Sequence, residues 1–433
     1  MLREIATDTE KSIKKYADEY EIYVSQVQTL NLDAENSDLS FAKEEVDRGL
    51  GIRIIKDKKL GFAYTSNINK IEETVKKAVE NAKLNEEDEY LSLANKSKIP
   101  KVKGTVDKNY DNIELDDILS FMEDTINEVK EKDCTPTSGG FSKLRGENVI
   151  LNSNGVDLSS ESTGFGAYIS VIANEDETSS AYNYVNSNKY DFTSEKMVNK
   201  SCEIAKSSIG GINIDTEDKN VVLDYFASTG LLSTFMNGFS GDNVLRGRSL
   251  LKDKIGETIV SDNLSIFDDG LIDNGLNSSE YDGEGSPSQR TELVKNGVLK
   301  GFVYDIYTGN KSNCETTGNA SRGLYASTPS IDFSNLVFDF EDKIEYNDIK
   351  AGVFATSLLG AHTANPITGD FSVEVNNGFI IEDGEKTKPI KKAMISGNVY
   401  EILKDCKGIN SDVEQHGNFI LPQILIPKLR VIG

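Results

Sequence analysis

Apolar positions along the first half of the chain repeat at two alternating periods. Ile5, Ile13, Tyr16, Ala17 and Tyr20 share one helical face and predict an opening amphipathic helix. Alternation over Glu21–Thr29 and Leu39–Glu45 predicts strands. Gly51–Ile55 and Leu60–Tyr64 flank the polar turn Lys56–Lys59 as a hairpin. Ile71, Val75, Ala78, Val79 and Ala82 return to helical spacing, with Asn67 or Asn69 available as a cap. The Lys-rich stretch 95–111, with Pro100 and Gly104, reads as a linker. A third helix is predicted over about 116–131, with Ile118, Leu119, Met122, Ile126 and Val129 facing inward.

Strands are expected at Asn148–Asn152 and Val156–Ser162, joined at Asn154-Gly155, and at Gly166–Ala173 and Thr178–Tyr184. A helix over about 194–207 follows, and Gly210-Gly211 marks a break. From Asn220 the texture changes: a short strand, an almost uncharged helical stretch (Tyr225–Gly241), then many short strands and Gly-rich turns. Helices and strands segregate without a βαβ rhythm. The expected fold is therefore α+β, with an N-terminal α+β domain (1–105), a middle α+β region (106–217) and a larger strand-rich C-terminal domain (218–433).

Charge narrows the function. The 433 residues carry 47 basic and 71 acidic side chains, a net charge of −24, which repels nucleic acid and anionic lipid. No apolar run is long enough to span a bilayer, and the charged N-terminus does not resemble a signal peptide. Cys134, Cys202, Cys314 and Cys406 are widely spaced, without C-x-x-C, which fits a reducing cytoplasm.

Several chemistries lack their residues. There is no P-loop; Gly164-Phe165-Gly166 lacks the third glycine and following helix of a dinucleotide site; Gly238-Phe239-Ser240-Gly241 is not a nucleophile elbow. The two histidines, His362 and His416, belong to no H-E-x-x-H or i,i+4 pair, so their spacing does not suggest a zinc site in this chain. His362 acting alone as a general base stays open.

Three C-terminal stretches carry more information. Tyr281–Arg290 sets Asp282, Glu284 and Arg290 among glycines. Such a loop can bind a charged ligand or peptide terminus, or simply close a polar turn through an internal carboxylate–arginine pair. Thr316–Arg322, with Asn319 and Arg322, suits a loop lining a cleft or a capped turn. Leu359–Ser372, with His362, Asn365 and Asp370 beside small residues and Asn365-Pro366, suggests a constrained loop of either functional or structural purpose.

In order along the chain, Gly49–Ile54 with Leu60–Thr65, Ile150–Gly155, Asp282–Gly285 with Gly297–Gly301, Thr317–Arg322, Gly360–Pro366 with Gly369–Ser372, and Gly408–Asp412 resemble the TldD/PmbA family, once described as modulators of DNA gyrase. That family has two kinds of chain. TldD-type chains carry H-E-x-x-x-H on a helix and supply the zinc of a metallopeptidase; PmbA-type (TldE) chains share the fold without that motif. The comparable stretch here, Tyr225–Gly241, contains no His, Glu or Asp. The resemblance thus implies a non-catalytic subunit with no cofactor of its own, pairing with a zinc-bearing TldD-type chain to degrade or trim peptides, or a homodimer. It places Asp282, Glu284, Arg290, Asn319, Arg322, His362, Asn365 and Asp370 as residues that shape a substrate cleft, with no catalytic residue assigned.

Overall fold

The computed structural model describes residues 1–175 and 177–433. Helix α1 (Leu2–Ile13) ends before Tyr16, earlier than the helical face in the sequence suggests; Tyr20 instead lies in the first strand and donates its hydroxyl to Glu10 (2.8 Å). Strands β1 (Glu19–Glu35), β2 (Asp38–Lys56) and β3 (Lys59–Thr65) form a meander. Helix α2 (Ile71–Leu84) buries Val75, Ala78, Val79 and Ala82, the predicted apolar face. Its 3-10 lead-in is capped by Asn67, whose side chain accepts from the Asn69 N–H.

After an irregular stretch come α3 (Leu115–Glu131), β4 (Thr135–Asn152), β5 (Asp157–Asn174), β6 (Thr178–Ser187) and α4 (Glu195–Ser207). β1 pairs with both β2 and β4, so all six strands make one antiparallel sheet in the order β3-β2-β1-β4-β5-β6. β1 and β2 are 17 and 19 residues long, well beyond the short strands expected. The outer part of β2, residues 38–47, is largely exposed and contains the strand expected at Leu39–Glu45; its pairing with β1 continues out to Glu35↔Asp38. Asn36 and Ser37 turn the hairpin with positive φ (48° and 77°).

The second layer system begins with β7 (Glu217–Leu223), α5 (Tyr225–Met236) and the short α6 (Gly241–Leu245). Strands β8 (Leu264–Asp269), β9 (Arg290–Lys295) and β10 (Val298–Leu299) precede α7 (Ile306–Ser312), and β11 (Ala320–Ser321) pairs with β12 (Ser330–Ile331). β13 (Leu336–Phe340), β14 (Lys343–Ile344), β15 (Ala351–Leu359), β16 (Asp370–Glu382), β17 (Glu385–Ile390) and β18 (Met394–Asn398) follow. The short α8 (Val399–Ile402), β19 (Lys407–His416) and β20 (Phe419–Ile432) complete the order.

Nine of these strands run in the order β10-β9-β8-β13-β20-β18-β16-β15-β7, and β20 pairs again with β7. The path β20-β18-β16-β15-β7 therefore returns to its start and closes as a barrel, which removes free edges. Helix α5 packs on it, and Leu231, Leu232, Phe235 and Met236 join Val353, Val373, Ile395 and Val431 in the largest apolar cluster. Its all-round burial explains why the stretch carries no charge. Among the described residues no helix is long and apolar enough to cross a membrane.

Candidate functional site

The turn between Tyr281 and Pro287 is organised by one carboxylate. Asp282 Oδ1 accepts the N–H groups of Glu284 and Ser286 (both 2.9 Å), and Oδ2 accepts that of Ala320 on β11 (3.1 Å). Gly285 takes φ +84°, where a side chain would be strained. This Asx-type turn aims Glu284 away from its own domain.

Glu284 Oε1 receives Arg53 Nη1 (3.0 Å) and Oε2 receives the Ile306 N–H at the start of α7 (3.0 Å). Arg53 Nη2 donates to Glu21 Oε2 (2.8 Å), and Glu21 Oε1 accepts Arg322 Nη2. Arg322 Nε returns to the Gly283 carbonyl (2.7 Å), and its guanidinium lies 4.8 Å from the Tyr23 ring centre. Glu284, Arg53, Glu21 and Arg322 thus alternate in sign around a closed circuit, each with a side chain no more than 9% exposed. Glu21 and Arg53 are direct partners across β1 and β2, whereas Glu284 comes from the turn between β8 and β9 and Arg322 from the loop after β11, so the circuit rivets the two layer systems together.

Burial pushes Glu284 above its ordinary value, with Arg53 opposing it. Burial and then Glu284 push Asp282 up. Burial draws the Arg322 guanidinium down; the same penalty on Arg53 is more than offset by Glu21 and Glu284, which raise it. Arg53 Nε has no hydrogen-bond partner among the described residues.

Asn319 sits one shell away. Its Nδ2 donates to Asp268 Oδ2 (2.7 Å) and to the Asp332 carbonyl (3.1 Å), while Asp268 Oδ1 accepts the Ser334 N–H (2.7 Å). Burial pushes the Asp268 carboxyl up to about 7. Cavities open on both sides of the circuit. One of about 670 Å³ is lined by Tyr23, Asn148, Asp282, Asn319 and Arg322. One of about 570 Å³ is lined by Arg53, Asp88, Glu284, Asp305 and Tyr307. A third, of about 620 Å³, shares Asp305 and Tyr307 with the second and reaches Ser233 of α5 and Asn237 at its C-terminal cap. These sizes suit small ligands or short peptide segments.

The structure divides the sequence candidates. Asp282, Glu284, Asn319 and Arg322 come together. Arg290 does not: it opens β9, exposed, with its guanidinium 3.5 Å above the Phe267 ring centre. The carboxylate–arginine pair conceivable within 281–290 is therefore replaced by one with Arg53, because the turn around Asp282 points Glu284 outward. His362, Asn365 and Asp370 form a separate loop between β15 and β16. Asn365 Oδ1 accepts the N–H groups of Ile367 (2.9 Å) and Thr368 (3.1 Å), and Asp370 accepts Asn398 Nδ2 and the Thr368 hydroxyl (both 2.8 Å). His362 is exposed at the tip. The loop packs on α5 at Gly230, where a Cβ would stand 2.8 Å from the Ala361 methyl. Glu21 and Arg53 were missed by sequence reasoning. Their signal was a lone charge inside each of two apolar runs, Tyr20-Glu21-Ile22 and Ile52-Arg53-Ile54.

Helix α5 is the stretch that the sequence resemblance aligns with the zinc motif. Its exposed Ser233, and Asn237 at its C-terminal cap, offer a hydroxyl and an amide, and both are engaged in backbone hydrogen bonds. His416, near the helix start, is bound to Glu414 (2.9 Å) and stacked against Tyr225. This donor set does not fit a catalytic zinc.

The chain matches, in three parts, the models of one family: the PmbA/TldA metallopeptidase domain 1 at residues 20–82, the central domain at 108–209 and the C-terminal domain at 216–433. The chain belongs to the PmbA/TldD family. It is 37% identical over 423 residues to an uncharacterized protein of Methanocaldococcus jannaschii, covering 96% of this chain and 98% of that one. It is 26% identical over 424 residues to the metalloprotease PmbA homolog of Haemophilus influenzae, covering 95% and 92%. Among solved structures, TldE from Thermococcus kodakarensis superposes with a TM-score of 0.92 at 26% identity, covering 99% of this chain and 100% of that one.

Proposed function

We propose that this chain is a non-catalytic, PmbA/TldE-like subunit of a TldD/TldE-type zinc metallopeptidase complex that degrades or matures peptides in the cytoplasm, with the zinc held by a TldD-type partner. The observation that carries this reading is the composition of α5. The family fold is kept around it, while the helix surface and its C-terminal cap offer only Ser233 and Asn237 where a metal would need imidazole, thiolate or carboxylate. The buried circuit Glu284–Arg53–Glu21–Arg322 then serves to hold the cleft loops in one arrangement, and Asp282 and Asn319 hold its walls.

Native mass spectrometry of the protein captured from its own cells, with metal analysis of the same sample, tests this. A complex with a second chain of similar size and about one zinc supports the subunit role. A metal-free homodimer with no second chain overturns it and leaves a stand-alone binding protein.

A further inference from the structure

The six-stranded sheet has two unlike faces. One is packed under α3 and α4 through Leu32, Phe141, Ala167 and Ile169. On the other, the register sets Phe41, Asp33, Gly140, Tyr168 and Tyr184 side by side across β2, β1, β4, β5 and β6. The next row on the same face is Lys43, Asn31, Ser142, Gly166 and Asn186. Small residues thus make a floor along β4 and β5, with Phe41 on one bank and Tyr168, Tyr182 and Tyr184 on the other. The resulting trough has a volume of about 480 Å³. From β2 to β5 is three strand spacings, about 14 Å, room for one extended chain.

Two details give the trough a chemistry. A Cβ on Gly140 would stand 2.6 Å from Tyr168 Cε1, so the glycine lets the tyrosine ring lie down over β4 and turn a face to solvent. Tyr182 follows with its ring centre 6.0 Å from that of Tyr168 and again 6.0 Å from that of Tyr184; it is 49% exposed. Exposed Asp33 and Glu35 lie on the same face; burial first, and then these two carboxylates, raise the Tyr168 phenol above its ordinary value. Among the described residues the one cation lining the trough, Lys43, is paired with Glu45. Aromatic faces beside unpaired carboxylates attract an ammonium or guanidinium and repel an acid.

The geometry points to this trough as a binding site for an extended polypeptide segment bearing arginine or lysine, its cation resting on Tyr168 and Tyr182 and drawn by Asp33 and Glu35. The site is distinct from the cleft around Arg53 and Glu284 and does not depend on pairing with a metallopeptidase chain.

The test is fluorescence anisotropy of the full chain with a labelled (Gly-Arg)4 amide and its (Gly-Glu)4 counterpart at low salt. The arginine peptide binds and the glutamate peptide does not. Tyr168→Ala with Tyr182→Ala weakens binding roughly tenfold and Asp33→Asn with Glu35→Gln several-fold, whereas Tyr168→Phe, which keeps the ring face, retains it. Glu123→Gln with Asp124→Asn removes two exposed acids of α3 and controls for attraction to the net charge. Equal weakening by that control, undiminished binding to the tyrosine variants, or sedimentation showing a second copy seated on this face overturns the inference. Capture of a partner chain is scored separately with the same variants, so loss of the trough and loss of the subunit role are told apart.

Discussion

Gly51 lies directly against Tyr325: a Cβ on Gly51 would stand 2.3 Å from the Tyr325 carbonyl oxygen. Gly49 faces the ring of the same tyrosine at 2.4 Å, and the Tyr325 hydroxyl reaches Asp47 (2.8 Å). The Gly49-Leu50-Gly51 motif is therefore a seat for a residue of the loop between β11 and β12, beside the charge circuit that joins the same two parts.

Gly51→Ala forces the junction apart, because backbone cannot yield as a flexible side chain does. A loss of about 1–3 kcal/mol is expected, as for overpacking a filled core. Urea denaturation measures it, and limited proteolysis should show cuts between the two sheets.

Breaking the circuit costs more. Arg53→Ala leaves Glu21 and Glu284 buried without their shared cation, and a loss of about 3–5 kcal/mol follows for a severed buried pair. Adding Glu284→Gln recovers part of it by removing one stranded charge. A double-mutant cycle in urea reads the coupling; strictly additive losses would contradict a shared circuit.

Arg290→Ala, by contrast, removes an exposed cation stacked on Phe267 and changes stability by about 1 kcal/mol or less. Thermal unfolding of Arg290→Ala beside Arg322→Ala should separate the two arginines clearly.

Asp268 makes stability depend on pH. Its folded value, pushed up to about 7 by burial, lies above the ordinary carboxylate value near 3.8, so the fold favours the protonated form. The contribution is fully present below about pH 4 and is lost as pH rises through about 7, up to roughly a few kcal/mol in all. Unfolding of Asp268→Asn across pH 4 to 8 should show a shallower decline than the parent chain.

His362→Ala should leave the unfolding midpoint within about 1 °C of the parent, because an exposed side chain away from packed features changes stability little. If the loop of Asn365 and Asp370 meets a partner, the same variant weakens capture of the second chain; unchanged capture removes His362 from the site.

Local periodicity made much of the fold readable. The faces of α2 and α3, the hairpin at Lys56–Lys59 and the paired strands of β5 and β6 all follow from patterns a few residues long. Longer-range order did not show itself. The outer half of β2 shows locally only as a short strand at Leu39–Glu45, and nothing there says that it runs on as one strand through Lys56. The pairing of β1 with β4 depends on residues more than a hundred positions apart, such as Glu21↔Asn152. The site divided in the same way. Asp282 and Glu284 stood out as charges among glycines, but their partner could not be named from the neighbourhood, since Arg53 is 231 positions from Glu284.

The closure of the C-terminal barrel sets an order of events during synthesis. All six strands of the first sheet are available once Ser187 has emerged, so that sheet can assemble early. β7 is made soon afterwards, but its antiparallel neighbour β20 comes some two hundred residues later in the chain, with pairing at Val221↔Ile426. Until then β7 carries an unfilled edge and α5 lacks part of its cover. A nascent chain stalled before Phe419 would present an apolar helix and an open strand to its surroundings, the kind of surface chaperones hold.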